Sequence, residues 1–223
     1  DIEKEIQSIN DQLGELDSVA RKRAIKKRER EPETQKRHEG PEPSSRWEFD
    51  QDLNDSIGKM HGVLSGGAKL ENGALILNGN NSFVMTSAFE KDIQEKTLEA
   101  WVQLNDLNQK GSGVIGIQST NGVIFDSIVY GEKTPQAWMA GSENHKRSEN
   151  HGGQKEELAK EKPIHVAITY TKDGTITRYR EGQIYGETYK TEFQKYEKGN
   201  TQIIFGMRHG NKNAPTGFLS GRI

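Results

Sequence analysis

Pro163-Ile164-His165-Val166-Ala167-Ile168-Thr169-Tyr170-Thr171-Lys172-Asp173-Gly174-Thr175-Ile176-Thr177-Arg178-Tyr179-Arg180-Glu181-Gly182-Gln183-Ile184-Tyr185 reads as three strands joined by two tight turns. Branched and aromatic residues alternate from His165 to Thr171 and again from Thr175 to Arg180, the period of a strand with one buried face. Asp173-Gly174 and Glu181-Gly182 fall between these runs, where glycine supplies the positive φ that side chains resist. The segment therefore predicts an antiparallel meander. His165 has no second ligand-type residue beside it in this apolar strand and reads as a core or capping histidine.

Similar short runs extend to both sides: Arg46 to Phe49, Ala74 to Leu77, Ser82 to Met85, Leu98 to Leu104, Gly113 to Gln118, Val123 to Val129, Gln136 to Ala140, Thr201 to Gly206 and Phe218 to Ile223. Gly, Asn and Asp punctuate them, which is the pattern of an antiparallel sandwich. With the meander they bring the number of strands above ten, enough for a jelly roll. The apolar fraction of 31% over 223 residues is low for one large domain and predicts a smaller domain plus a solvated extension. Formal net charge is −2, so no global field draws the chain to nucleic acid or anionic lipid. The absence of cysteine rules out disulfides, thiolate zinc sites and cysteine nucleophiles. No stretch approaches the roughly 20 apolar residues of a membrane span, and Asp1-Ile2-Glu3-Lys4 is not a signal peptide, so the chain reads as a fragment of something longer.

The extension is amino-terminal. Ile2, Ile6, Ile9, Leu13, Leu16 and Ala20 recur at steps of four and three and line one seam of a helix, expected over residues 1–30. A seam this short needs a partner, either its own chain, a neighbouring domain, or a second copy through self-association. The basic run from Arg21 to Arg30 follows the seam, whereas a basic zipper places it before, and Glu29, Glu31 and Glu33 oppose phosphate contact. Nucleic acid is thus not the expected partner. Glycine and prolines in Glu39-Gly40-Pro41-Glu42-Pro43 mark residues 31–45 as a linker, and the sandwich is expected over 46–223.

The order of segments resembles the laminin G-like (LamG-like) branch of the concanavalin A-like lectin/glucanase superfamily. The residues that carry it are Trp47-Glu48-Phe49-Asp50, His61-Gly62, Leu75-Ile76-Leu77-Asn78-Gly79, Thr97 to Val102, the meander, and Gly217 to Ile223. The resemblance covers about Arg46 to Ile223 and implies an all-β concanavalin A-like antiparallel β-sandwich (jelly roll) preceded by the N-terminal α-helix. Phe125 to Glu132, Pro135 and Trp138 to Ser142 look like the module found inside large exported bacterial proteins that also carry a cytochrome-c-like domain. That likeness implies a periplasmic or extracellular setting with neighbouring domains of the parent chain. Such modules continue past Gly221-Arg222-Ile223, which implies that the last strand is truncated and weakens an edge formed with the first strand.

The same superfamily contains glucanases, whose strands carry alternating acids that place two carboxylates about 5 Å apart. No strand here has that pattern; Glu99 stands alone on its strand, and Glu156-Glu157 falls in a polar segment as solubilising charge. Nucleophile elbows, phosphate loops and His-Glu-x-x-His helices are also missing from the sequence. Asp50, Asp52 and Asp55 have the alternating oxygens of a loose calcium site, or equally of a turn. The long insertion Gly141 to Lys162 carries His145, Arg147 and His151, with Trp138 just before it and Arg208-His209 on another loop. These six residues could edge a polar, aromatic surface that stacks on a sugar or grips an acidic partner; otherwise the insertion is a solvated loop. The expected function is a non-catalytic recognition module for carbohydrate or protein, without a cofactor unless calcium. A structural spacer is the alternative and a glycoside hydrolase the third reading.

Overall fold

The computed structural model describes residues 41–223 and, within the first 23, positions 2, 4–9, 11–12, 15–16, 19–20 and 23. Leu13, the basic run apart from Arg23, and the linker as far as residue 40 lie outside the described residues. The chain divides into two compact units, Asp1–Pro43 and Ser44–Ile223. In the first, the described positions up to 23 are helical, and Ile2, Ile6, Ile9 and Leu16 are exposed on that helix.

The second unit is an antiparallel sandwich of sixteen short strands: β1 (Gly62–Ser65), β2 (Lys69–Leu70), β3 (Leu75–Asn78), β4 (Phe83–Thr86), β5 (Lys96–Leu104), β6 (Ser112–Ser119), β7 (Phe125–Tyr130), β8 (Trp138–Ser142), β9 (Ile164–Tyr170), β10 (Thr175–Arg180), β11 (Gln183–Ile184), β12 (Tyr189–Lys190), β13 (Thr201–Phe205), β14 (Met207–His209), β15 (Thr216–Phe218) and β16 (Ser220–Arg222). One sheet has the order β1-β4-β13-β6-β7-β8, and the facing sheet β11-β10-β9-β5-β16-β3-β2 with β12 beside β10. The meander forms in register, Tyr170 opposite Ile176 and Tyr179 opposite Ile184.

The two sheets bury their alternate residues against each other. On β5 the inward set is Leu98, Ala100, Val102 and Leu104, and on β9 it is Ile164, Val166, Ile168 and Tyr170. His165 belongs to the other set. The core assignment made from its apolar neighbours is corrected here, because alternation turns its ring to the outer face beside Trp101. By contrast β6, β7 and β8 are buried along their whole length, since the hairpin β14–β15 lies across β6 and β7 and the insertion folds back on the end of β8.

Glycine makes that close crossing feasible. A Cβ on Gly113 would sit 2.2 Å from the Met207 carbonyl oxygen and 2.3 Å from the Arg208 nitrogen. The Ser127 hydroxyl then donates to the Arg208 carbonyl at 2.6 Å, and Gln118 exchanges two hydrogen bonds with the Gly210 backbone at 2.7 and 3.0 Å. Arg208 and His209, expected on a loop, therefore occupy a strand pinned to the sheet.

Two further expectations change. Arg46 to Phe49 is not a strand: Phe49 has φ 55°, outside the extended region, and its ring instead meets Phe205 edge-on at 5.0 Å. The last strand does not pair with the first. β16 lies between β3 and β5, and Ile223 exchanges backbone hydrogen bonds with Leu75 at 2.8 and 3.0 Å.

Gly113→Ala forces a methyl group into backbone rather than into a yielding side chain. The expected loss is about 1–3 kcal/mol, read by urea unfolding.

Candidate functional site

The insertion after β8 is exposed along much of its length but is pinned to the domain at a few buried residues, Arg147, Ser148, Glu156 and Ala159 among them. Glu156, expected as surface charge, is fully buried and is the insertion's main anchor. Its carboxylate accepts from Trp138 Nε1 at 2.8 Å, from Arg180 Nε and Nη2 at 2.7 and 3.0 Å, and from the backbone of Leu158 and Ala159 at 2.9 and 3.0 Å. Burial alone would raise its pKa, but the Arg180, Trp138 and backbone hydrogen bonds outweigh burial and hold it down at about 2. This anchor overturns the reading of Trp138 as a surface aromatic. The indole is 2% exposed, rests against Tyr130 with ring centroids 4.7 Å apart, and uses its N–H on Glu156.

Arg147 is interior too, 1% exposed. Its guanidinium donates to Asp126 at 2.7 Å, to both Glu143 oxygens at 2.5 and 3.0 Å, to the Phe125 carbonyl at 3.0 Å and to Glu192 at 3.3 Å. Burial opposes its charge, yet Glu143 and Asp126 more than compensate and raise its pKa. With so many acceptors already engaged, Arg147 is a structural cation and not a contact for an outside ligand. His151 lies near it, stacked on Tyr189 at 4.9 Å and within 3.3 Å of Glu149 and 3.8 Å of Glu187.

The structure brings three of the expected residues together elsewhere. Glu132, from the loop between β7 and β8, has a side chain only 10% exposed. Its Oε1 pairs with Arg208 Nη2, and its Oε2 lies 3.8 Å from His145 Nδ1 without a hydrogen-bond partner. The Nε of Arg208 is likewise buried and unpartnered, while its guanidinium lies 4.8 Å above the Phe125 ring. His209 stacks on that same ring at 4.2 Å and 8°. Burial lowers its pKa, and Nδ1 faces the Gly122 carbonyl oxygen at 3.2 Å, so a neutral ring donates through Nδ1 and keeps Nε2 as an acceptor. His145 is half-exposed and follows Asn144, with φ values of 57° and 49°. Two consecutive left-handed residues other than glycine are costly, a feature that clusters at binding sites.

The site thus combines an acceptor, a guanidinium donor, imidazoles and an aromatic ring, the mixture that orients a polar ligand. Neither Glu132 nor Phe125 stood out in the sequence as a site residue. Their only signal was a place in the Phe125 to Glu132 motif, since the partner Arg208 arrives from a distant strand.

In the Asp50–Asp55 stretch, Asp52 and Asp55 are engaged as local acceptors. Asp55 accepts four backbone N–H groups, from Arg46, Ile57, Gly58 and Met60, at 2.8–3.1 Å. Burial pushes its pKa up, and these four bonds together bring it below the usual carboxylate range. Asp52 accepts from the Asn54 backbone and side chain at 2.9 and 2.6 Å, an Asx turn, and Asp50 is exposed. Among the described residues no group of three His, Asp or Glu is placed to hold a metal ion. Asp52 and Asp55 thus act as turn acceptors, the alternative reading of this stretch.

The signature of the concanavalin A-like lectin/glucanases superfamily, in its laminin G form, matches residues 78–223, and the chain belongs to that family. No curated protein matches the chain. Among solved structures it is similar to domain 4 of an extracellular GH43 arabinanase from Geobacillus stearothermophilus, solved with arabinotriose, at 19% identity and TM-score 0.56 over 80% of this chain and 88% of that one. It is also similar to a heptameric pentraxin from Limulus polyphemus, at 14% identity and TM-score 0.50 over 66% of this chain and 70% of that one. At these identities the likeness establishes the fold.

Glu156→Gln removes the charge that Arg180 needs. A shift from 4.5 to about 2 corresponds to on the order of 3 kcal/mol present above pH 4.5 and lost as pH falls towards 2. Urea unfolding is expected to show the variant destabilised by about that much at pH 7 and the gap closing at pH 3.

Proposed function

We propose that the sandwich is a non-catalytic recognition module that binds carbohydrate at the cluster of Glu132, Arg208 and His145, inside a larger exported protein. The observation that carries the proposal is the convergence of Glu132, Arg208 and the half-exposed His145, with Glu132 Oε2 and Arg208 Nε left without a hydrogen-bond partner just beneath the surface. Buried polar atoms without partners cost about 1–3 kcal/mol each, and sugar hydroxyls both donate and accept. Family membership supports the reading, as does the likeness to a domain solved with arabinotriose. A non-catalytic role is supported by the use made of the buried acids: Asp126 and Glu143 are held by Arg147, and Glu156 by Arg180. No helix among the described residues is long and apolar enough to cross a membrane; the exported setting rests on the resemblance. The exposed apolar residues Ile2, Ile6, Ile9 and Leu16 favour a second role, in which the helix docks on a neighbouring domain or a second copy.

Thermal-shift titration against arabinan, glucan and mannan oligosaccharides, with and without calcium, tests the site. Saturation at about 100 times Kd is expected to raise Tm by roughly 5–10 °C. Glu132→Gln and Arg208→Ala are expected to abolish the shift, with no effect of calcium. A flat panel moves the assignment to the docking role.

A further inference from the structure

We propose that the outer face of the eight-stranded sheet carries a second ligand site, in which the indole of Trp101 stacks on the C–H face of a pyranose ring of a neutral glycan. Trp101 is 60% exposed in the middle of a long strand, while its neighbours Ala100 and Val102 are buried. The alternation that fixes the core thus also fixes an indole on a flat outer surface. Sheet faces of this kind ordinarily carry the polar half of the pattern, and Trp is the side chain with the most apolar area to lose to water.

The surroundings of Trp101 select the occupant. His165 lies directly across on β9, with ring centroids 5.2 Å apart and a tilt of 51°, and its Nε2 is 3.5 Å from Glu99 Oε2. On the other flank Gln103 Oε1 accepts from Arg222 Nε and Nη2 at 2.9 and 2.6 Å. Glu99 and Gln103 stand two residues either side of Trp101 on the same face, about 7 Å away along the strand. That spacing is close to the width of one sugar ring. A wholly apolar partner would have to strip water from Glu99 and Arg222, which costs more than covering the indole returns. A pyranose covers the indole with its C–H face and carries hydroxyls at its rim, where Glu99 accepts and His165 can donate. Glu99 on one flank and Arg222 on the other leave no net charge to select a charged glycan, hence a neutral one.

This face belongs to the sheet opposite the one carrying Glu132, so the two sites are independent in their residues. Trp138 is buried and Trp47 packs edge-on to Phe205, which leaves Trp101 as the indole that solvent reaches most freely. Its emission can therefore be followed in the intact chain. The 223-residue protein is titrated with cellopentaose, laminaripentaose, xylopentaose and mannopentaose while tryptophan emission and acrylamide quenching are recorded.

The expected result is a saturable blue shift with at least one pentaose and at least a twofold protection from quenching. It persists in Glu132→Gln, and isothermal titration calorimetry, which does not depend on the indole, shows at least a tenfold fall in affinity in Trp101→Thr. Threonine suits an exposed strand position, and an unchanged far-ultraviolet dichroism spectrum verifies the fold of that variant. Absence of any spectral change in the unsubstituted protein overturns the proposal, as does calorimetric affinity retained by Trp101→Thr. Concentration-dependent association seen by light scattering and lost in Trp101→Thr also overturns it, by assigning the face to a second copy of the chain.

Discussion

The carboxylate of Asp126 is the constraint on which the sandwich interior depends. It is fully buried and receives Arg147 at 2.7 Å, Lys96 at 2.9 Å and the Tyr196 hydroxyl at 2.9 Å. These groups come from the insertion, from β5 and from the segment before β13, so one side chain on β7 ties both sheets to the insertion. Burial works against the Lys96 charge and lowers its pKa despite Asp126, and the Lys96 ammonium also lies 4.2 Å from the Tyr170 ring centroid. Breaking a buried pair of this kind costs about 3–5 kcal/mol, because the remaining charge has no water to turn to. The cluster thus commits the insertion to one placement.

That placement propagates outward. Arg147 fixes Glu143, the backbone turns through left-handed Asn144 and His145, and His145 arrives beside Glu132. From the other side, Gly113, Ser127 and Gln118 pin β14 and with it Arg208. The candidate site is therefore assembled by two anchored segments meeting over Phe125. Rigid support of this kind is what keeps unpartnered polar atoms from collapsing onto one another.

Much of the fold was legible because strands announce themselves locally. The period-two pattern of β5 and β9 and the Asp-Gly and Glu-Gly turns depend only on neighbouring residues, and they placed the meander correctly. What was not legible depends on contacts distant in sequence. Trp138, Arg147 and Glu156 have the composition of a polar surface, and only the bidentate Arg180 partner and the Asp126 cluster show them to be interior. The same limit applied to Asp55, whose alternating-acid spacing suits a cation until four backbone N–H groups occupy its oxygens. His165 shows the converse: its apolar neighbours suggested a core position, while strict alternation, available in the sequence, already placed it outside. For the site, His145, Arg208 and His209 were individually visible, but Glu132 needed the topology.

The placement of β16 has a bearing on biosynthesis. The eight-stranded sheet is not filled in chain order, because β3 and β5 emerge early and their shared neighbour emerges last. Until then both present open strand edges with unsatisfied backbone groups, and the sheet exists as two halves. Pairing this remote is slow to form, since the loop entropy is lost before the contacts are gained. This sheet consequently cannot be completed in the order in which its strands are synthesised. The two halves of this sheet are joined only when Ser220–Arg222 arrives between them.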